Sequence, residues 1–180
     1  MNQPLTATDP VEIPSAGGYR IDPASSAISF TTRHMFGLAP VRGRFAVREG
    51  YLDVADPVLE SAARARIDAA SFDTGNPARD RTVKSRTYLD AANHPDIVFV
   101  STKLDRAAGD WLLHGMLTVR GRTEPLDLRI ESVRAGSVLR LRATTEIDRY
   151  RWGVTAMKGM TGRRLRLVLD ITARPASANA

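Results

Sequence analysis

The stretch Leu126-Asp127-Leu128-Arg129-Ile130-Glu131 alternates strictly between apolar and charged residues. Successive side chains of a β-strand point to opposite faces, so this pattern predicts a strand with one dry face and one wet face. Such faces are typical of antiparallel sheets, whereas the strands of parallel sheets are buried on both sides. The same period recurs along the chain, with apolar positions at Ile28 and Phe30, at Ala63, Ala65, Ile67 and Ala69, at Leu139, Leu141 and Ala143, and at Leu165, Leu167, Leu169 and Ile171.

Turn residues separate these segments, as in Gly109-Asp110, Arg120-Gly121-Arg122 and Ala135-Gly136-Ser137. Short turns of this composition are typical of hairpins. A row of eight to ten hairpin-connected strands must close or stack to protect its edges from pairing with other chains. We therefore predict an all-β fold, a closed antiparallel β-barrel of about eight strands.

One segment departs from the strand pattern and predicts a helix over about 77–90. Asn76 is a suitable N-cap, Pro77 suits the first helical position, and Asp80 follows in the first turn. Asn93-His94-Pro95 would stop it. A lone helix beside a barrel is expected near a barrel end, as a lid or as a simple crossover.

The length of 180 residues predicts one domain. Residues 1–17 have no periodicity and are expected to be a disordered lead-in, residues 18–175 the barrel domain, and residues 176–180 a flexible tail. No run of about 18 apolar residues is present, so stable membrane insertion is not expected. The first residues lack the features of a secretory signal, which predicts a cytoplasmic protein.

The chain has no cysteine and a formal net charge of +6. Basic charge raises the hypothesis of binding to nucleic acid or an anionic surface through an arginine-rich exterior. The arginines alternate with apolar residues, as in Leu139-Arg140-Leu141-Arg142, so we expect a solvated outer face and no nucleic-acid partner.

Catalytic motifs are missing from the sequence, and the three histidines, His34, His94 and His114, lie far apart. His34 is in phase with Ile28 and Phe30, so its ring is expected to point inward. It could be an ordinary core histidine, a contact for a ligand's polar head, or the acid or base of an enzyme acting on a small hydrophobic substrate. We expect no enzymatic activity, because no carboxylate or nucleophile is tied to His34 by a local motif. We also expect no resident metal, because the histidines lack the close spacing of a metal site, and no required cofactor.

An eight-stranded barrel either just fills with side chains or holds one small ligand. Small residues are expected on the inner face, namely Ala63, Ala65, Ala69, Gly115 and Ala143. Protein interiors rarely tolerate empty space, so these small residues indicate a binding cavity.

Many short motifs, in order from Tyr19 to Arg174, resemble those of the YceI-like, polyisoprenoid-binding proteins. They are Tyr19-Arg20-Ile21-Asp22-Pro23 with Ser26 and His34, Val41-Arg42-Gly43-Arg44-Phe45 with Gly50, Ile67-Asp68-Ala69-Ala70-Ser71-Phe72-Asp73-Thr74-Gly75, Arg79-Asp80, Lys84-Ser85, His94-Pro95 with Phe99 and Ser101, Gly115-Met116-Leu117-Thr118-Val119-Arg120-Gly121, Ile147-Asp148-Arg149 and Trp152-Gly153. Two positions depart from the family pattern, Ser25 in place of a histidine and Tyr88-Leu89 in place of an aromatic pair.

The resemblance implies a lipocalin-like barrel that holds a long isoprenoid lipid, such as a polyprenyl quinone or polyprenyl phosphate, as a non-enzymatic carrier, storage or stress-related protein. It also implies a possible homodimer. The residues predicted to bind the ligand are Phe30, His34, Phe36, Phe45, Ile67, Phe72, Tyr88, Phe99, Leu117, Leu128, Leu141 and Trp152.

Overall fold

The computed structural model describes residues 5–6, 10–34 and 39–176. Ten strands and one α-helix make up this part of the chain. The strands are β1 (Gly17–Ile21), β2 (Ala27–His34), β3 (Ala39–Phe45), β4 (Val47–Val54), β5 (Ala62–Asp68), β6 (Asp96–Ala107), β7 (Asp110–Val119), β8 (Arg122–Arg134), β9 (Leu139–Asp148) and β10 (Arg164–Pro175), and the helix is α1 (Pro77–Lys84). Every strand pairing in the sheet is antiparallel.

The ten strands occupy eight positions around a closed barrel. β1 and β2 pair in turn with the two ends of β10, so together they act as one strand interrupted by a turn at Pro23–Ser25. β3 and β4 together occupy the next position of the barrel, because β3 pairs with β2 and β4 pairs with β1. The pairing of β1 with both β4 and β10 closes the ring. The predicted lipocalin-like barrel of eight strands is confirmed.

One stretch of the wall is not made by strand pairing. β4 pairs with β5, but β3 is bridged only at Arg44 to Asp73, in the segment that follows β5. The backbones of these two residues exchange hydrogen bonds of 2.9 and 3.1 Å. Behind this bridge Phe30 stacks on Phe72 with ring centroids 5.2 Å apart, and Phe45 contacts both rings. Aromatic packing therefore completes the wall where the sheet opens.

The helix begins as predicted but is shorter. The side chain of Asn76 accepts a hydrogen bond from the Arg79 amide, and Pro77 occupies the first helical position. The helix ends at Lys84 and not near residue 90, because Ser85 turns out of the helix and its hydroxyl donates to the Thr82 carbonyl at 2.7 Å. Residues 85–94 then form consecutive turns.

Part of the predicted lead-in lies on the barrel. Val11 forms a parallel bridge with Val133. The N–H of Val133 donates to the Pro10 carbonyl at 3.2 Å, and its carbonyl accepts from the Glu12 N–H at 3.0 Å. The pairing of β7 with β8 ends at Ile130, which leaves this edge of β8 open. Leu5 is also buried. Residues 10–16, called the strap below, thus cover a free strand edge, as edge protection requires.

Candidate ligand-binding cavity

The interior of the barrel, called the bore, contains an apolar cavity of about 230 Å³. All ten strands contribute to its wall. The wall follows the period-two pattern, as in β7, where every second residue from Trp111 to Val119 is buried and the alternate residues are half-buried. Alternation in the sequence therefore translates directly into an apolar bore.

The small residues expected on the inner face behave differently from one another. Ala63, Ala65 and Ala143 line the cavity. Gly115 does not add space, because a Cβ there would lie 2.4 Å from the ring of Phe99. The aromatic ring therefore occupies the room that a side chain at position 115 would take.

One end of the bore, called the helix end, is covered by α1, the turns at 85–91 and the loop at 153–162, called the cover loop. Tyr88 and Thr161 join these two covers through a hydrogen bond of 2.9 Å between their hydroxyl groups. The hydroxyl of Thr32 donates to the Arg164 carbonyl at 2.7 Å, just after the cover loop. Most of the polar residues that line the cavity lie towards this end, namely Thr32, Arg79, Tyr88, Thr145, Arg149 and Thr161, and Arg64 of β5 is a further one.

Arg149 fastens the cover loop from the inside. Its guanidinium is buried and donates to the carbonyls of Gly162 at 2.8 Å, Ala156 at 2.8 Å, Thr161 at 3.2 Å and Val154. Burial lowers the pKa of Arg149 from its ordinary value, since a charged group loses hydration inside a protein. The guanidinium offers five N–H donors in a rigid planar fork and so reaches four carbonyls, whereas a lysine has only three donors on one nitrogen.

Hydrogen bonds of Trp152, Asp80 and Arg79 also position the helix end. The indole N–H of Trp152, which is 2% exposed, donates to the Leu117 carbonyl at 2.8 Å. Asp80 in α1 accepts bonds from the amide and hydroxyl of Thr74, the latter at 2.6 Å. Arg79 donates to the same hydroxyl at 2.8 Å. These bonds tie the helix to the segment that follows β5.

The opposite end of the bore, called the distal end, is covered by the strap and the turn at 58–60. A second apolar cavity of about 100 Å³ lies there, with Val11 and Pro14 in its wall. It shares five wall residues with the main cavity, namely Leu52, Ala63, Leu113, Ile130 and Leu141. The two cavities are therefore adjacent along the bore, one at the helix end and one against the strap.

The structure places most of the predicted ligand contacts on the cavity wall. They are Phe30, Phe45, Ile67, Phe72, Tyr88, Phe99, Leu117, Leu128, Leu141 and Trp152. Phe36 lies outside the described residues, as does the side chain of His34. Contact with a ligand stays a prediction for all twelve.

Arg149 and the strap are features of the site that sequence reasoning missed. Arg149 stands in a quoted motif, Ile147-Asp148-Arg149, but its partners are backbone carbonyls, which carry no sequence signature. Pro10-Val11-Glu12 follows no alternation that would indicate pairing.

Of the histidines whose side chains the structure describes, neither His94 nor His114 lines the cavity. His114 lies on the outer face of β7, where its Nδ1 is 2.7 Å from a carboxylate oxygen of Asp127. Among residues 5–6, 10–34 and 39–176, no group of three or more histidine, aspartate or glutamate side chains is arranged to hold a metal ion. No helix in this part of the chain is both long and apolar enough to cross a membrane.

The fold and cavity define a hollow, lipocalin-like barrel protein. A model of the YceI-like domain matches residues 19–173, and the chain belongs to this family. A UPF0312 protein of Vibrio cholerae is 30% identical over 127 residues, which cover 68% of this chain and 66% of the relative. A UPF0312 protein of Shewanella sp. strain ANA-3 is 29% identical over 170 residues, covering 92% of this chain and 83% of the relative.

Solved structures share the fold at lower identity. BcnA of Burkholderia cenocepacia superposes with a TM-score of 0.74 at 21% identity, covering 84% of this chain and 98% of BcnA. A polyisoprenoid binding domain from Saccharophagus degradans gives a TM-score of 0.66 at 13% identity, covering 90% of this chain and 100% of that domain. A YceI protein of Campylobacter jejuni gives a TM-score of 0.61 at 21% identity, and the superposition covers 76% of this chain and 86% of that protein.

Proposed function

We propose that this protein binds a long isoprenoid lipid in the bore, as a non-enzymatic carrier or storage protein that needs no cofactor. The observation that carries the proposal is a bore with an apolar wall from the helix end to the strap. A structural relative is described as a polyisoprenoid binding domain, which supports the same ligand class. A polyprenyl quinone or polyprenyl phosphate has the required apolar chain and polar head.

The energetics of such a ligand favour retention without sharp selectivity. Each buried CH₂-sized unit contributes about 0.8 kcal/mol, so a chain of about 40 carbons would nominally gain ~32 kcal/mol. Non-covalent affinity saturates near about 18–21 kcal/mol. The nominal gain exceeds this limit because ordering the flexible chain costs free energy and because part of the chain stays exposed to water. We therefore expect several isoprenoids to bind, and a sharp preference for one chain length would count against the proposal.

The polar head is expected at the helix end. Thr32, Tyr88, Arg149 and Thr161 belong to that end of the cavity wall. Their hydroxyl and guanidinium groups now bond one another or backbone carbonyls, and a polar head would exchange places with these partners. Ligand pockets commonly combine an apolar wall with a few polar groups that fix orientation.

The test is a native mass spectrum of protein purified from its own host, followed by organic extraction and lipid analysis. Stoichiometric isoprenoid or quinone would support the proposal and name the ligand. Protein that is empty and also fails to take up added polyprenyl lipid would refute it.

A pair of variants tests the bore as the site. Leu117→Arg puts a charge into the cavity wall, where Leu117 is 5% exposed, and should abolish lipid retention. Met116→Arg is the matched control, since residue 116 points to the outer face of the same strand. Circular dichroism checks that both variants fold. If both variants fold and retain the lipid equally, the bore is ruled out as the lipid-binding site.

A further inference from the structure

Charge is separated between the two ends of the barrel. The segments at the helix end, residues 77–94, 119–122 and 149–164, are called the mouth face. They hold eleven basic and two acidic residues, a net charge of +9, whereas the whole chain carries +6. The segments at the distal end, residues 10–16, 51–61, 105–110 and 131–139, hold two basic and seven acidic residues, a net charge of −5. Such a separation orients a molecule in an external field.

Part of the positive charge of the mouth face is exposed to solvent without a carboxylate partner. Its two acidic residues, Asp80 and Asp90, are buried and accept hydrogen bonds from Thr74 and Asn93. Across the described part of the chain, no carboxylate lies within ion-pair distance of the exposed basic side chains at positions 81, 86 and 158. Several arginines on the barrel wall are instead paired with carboxylates.

Arg66 shows the contrast, since it contacts both Glu49 and Asp96 at 3.0 Å. Some mouth-face arginines, at positions 122, 151, 163 and 164, are paired in the same way with carboxylates of β8 and β9. Among the described residues, the mouth-face charge that has no carboxylate partner is therefore carried by side chains such as Arg81, Arg86 and Lys158.

Exposed apolar side chains accompany this charge on the cover loop. Met157 is 59% exposed and Met160 is 43% exposed, on either side of Lys158. Met157 and Gly159 have φ angles of 50° and 79°, so this stretch is a tight turn. Arg149 binds carbonyls of the same loop from inside the barrel. The loop is thus held at its base while its methionines face outward.

We propose that the mouth face docks on the surface of a bilayer that contains anionic lipids. The basic side chains contact headgroups, and Met157 and Met160 enter the boundary between headgroups and acyl chains, as in interfacial anchors. Docking in this orientation places the covered end of the bore against the lipid source. The proposal rests on the proposed function, because it assigns the route by which the lipid would enter and leave.

Nucleic acid is the other anionic surface that a basic face could bind, and the mouth face suits it less. Sequence-independent binding of single strands uses exposed aromatic rings as stacking platforms. Tyr88 and Trp152 are 5% and 2% exposed, and Tyr150 is half-buried with Arg149, Arg163 and Lys158 against its ring. Exposed methionines favour a bilayer instead.

The chain has no cysteine, so one environment-sensitive fluorophore can be attached at a chosen position. We would label Met157→Cys on the mouth face and Leu59→Cys, which replaces a residue 48% exposed at the distal end. With vesicles of phosphatidylcholine and phosphatidylglycerol, a blue shift is expected for the first label and none for the second. Equal shifts, or no shift for the first label, would overturn the proposed orientation.

Charge reversal tests the electrostatic part. Arg81→Glu with Lys158→Glu should weaken binding to anionic vesicles by at least about 30-fold, from roughly one kcal/mol per basic residue near the surface. The matched control, Arg129→Glu with Arg166→Glu, makes the same charge change on exposed wall positions and should weaken binding by less than about threefold. Equal losses in the two variants, or equal binding to pure phosphatidylcholine, would refute a docking face.

Two outcomes separate this inference from the proposed function. Protein that carries isoprenoid but gives no vesicle-dependent shift would disprove docking and leave lipid binding intact. A shift with protein that never takes up lipid would support docking and disprove the lipid function. Tighter binding of duplex DNA than of anionic vesicles to the mouth face would overturn the choice of a bilayer.

Discussion

Replacing Arg149 with methionine should release the cover loop from the helix end of the bore. Methionine keeps a long apolar side chain but has no N–H donor. The four carbonyls that Arg149 binds, those of Val154, Ala156, Thr161 and Gly162, would lose their partner together.

The magnitude follows from two opposing contributions. Four hydrogen bonds from a charged donor, at about 1.5–3 kcal/mol each, would nominally contribute ~6–12 kcal/mol. Burying the guanidinium costs several kcal/mol, which is also why its pKa is lowered. The loop can reach solvent when it detaches, so its carbonyls regain water. We expect the free energy of unfolding to fall by about 2–4 kcal/mol, a large part of the ~5–15 kcal/mol of a typical domain.

Urea unfolding measures the loss, and hydrogen exchange of residues 153–162 measures the detachment. The control is Arg163→Met, since Arg163 is exposed and pairs with Asp148 at 2.7 Å. Surface pairs contribute about 0–1 kcal/mol, so this variant should change little. A loss below about 1 kcal/mol for Arg149→Met, with unchanged exchange in the cover loop, would refute its fastening role. Lipid bound by the Arg149 variant should also dissociate faster.

Three further predictions concern packing, the strap and pH. Gly115→Ala should lower the free energy of unfolding by about 1–3 kcal/mol in urea, because its Cβ would lie 2.4 Å from the Phe99 ring; an unchanged midpoint would contradict this. Val11→Asp, which buries a carboxylate against the distal cavity, should cost about 1–3 kcal/mol, whereas Ile13→Asp, at a position 60% exposed, should cost less than about 0.5; equal costs would argue against docking of the strap. The hydrogen bond from Arg163 holds the pKa of Asp148 below its ordinary value of 3.8. The ionised Asp148 therefore stabilises the folded protein above pH 3.8, and this contribution is lost as the pH falls through the lower pKa of the folded state. Asp148→Asn should therefore make the free energy of unfolding, measured in urea, less dependent on pH below about pH 4. An unchanged pH dependence would show that Asp148 does not contribute to it.

Local patterns in the sequence were sufficient for the barrel and its apolar wall. Strict alternation assigns a residue such as Leu117 or Leu128 to the inner face, because strand geometry leaves only two directions for a side chain. The capping pattern at Asn76 and Pro77 likewise placed the start of α1, since capping depends on neighbours within three residues.

Only the tertiary structure decided how the ends of the barrel are covered. The helix stops at Lys84 although a compatible sequence continues, because turns over residues 85–94 form instead. Arg149 acquires its role from carbonyls in a loop, and Val11 from a free edge of β8. Nearly every residue carries the same backbone N–H and carbonyl groups, so no sequence pattern predicts which of them will bind Arg149 or the strap. The sequence by itself therefore determined the apolar wall of the bore, and long-range backbone contacts determined its two closures.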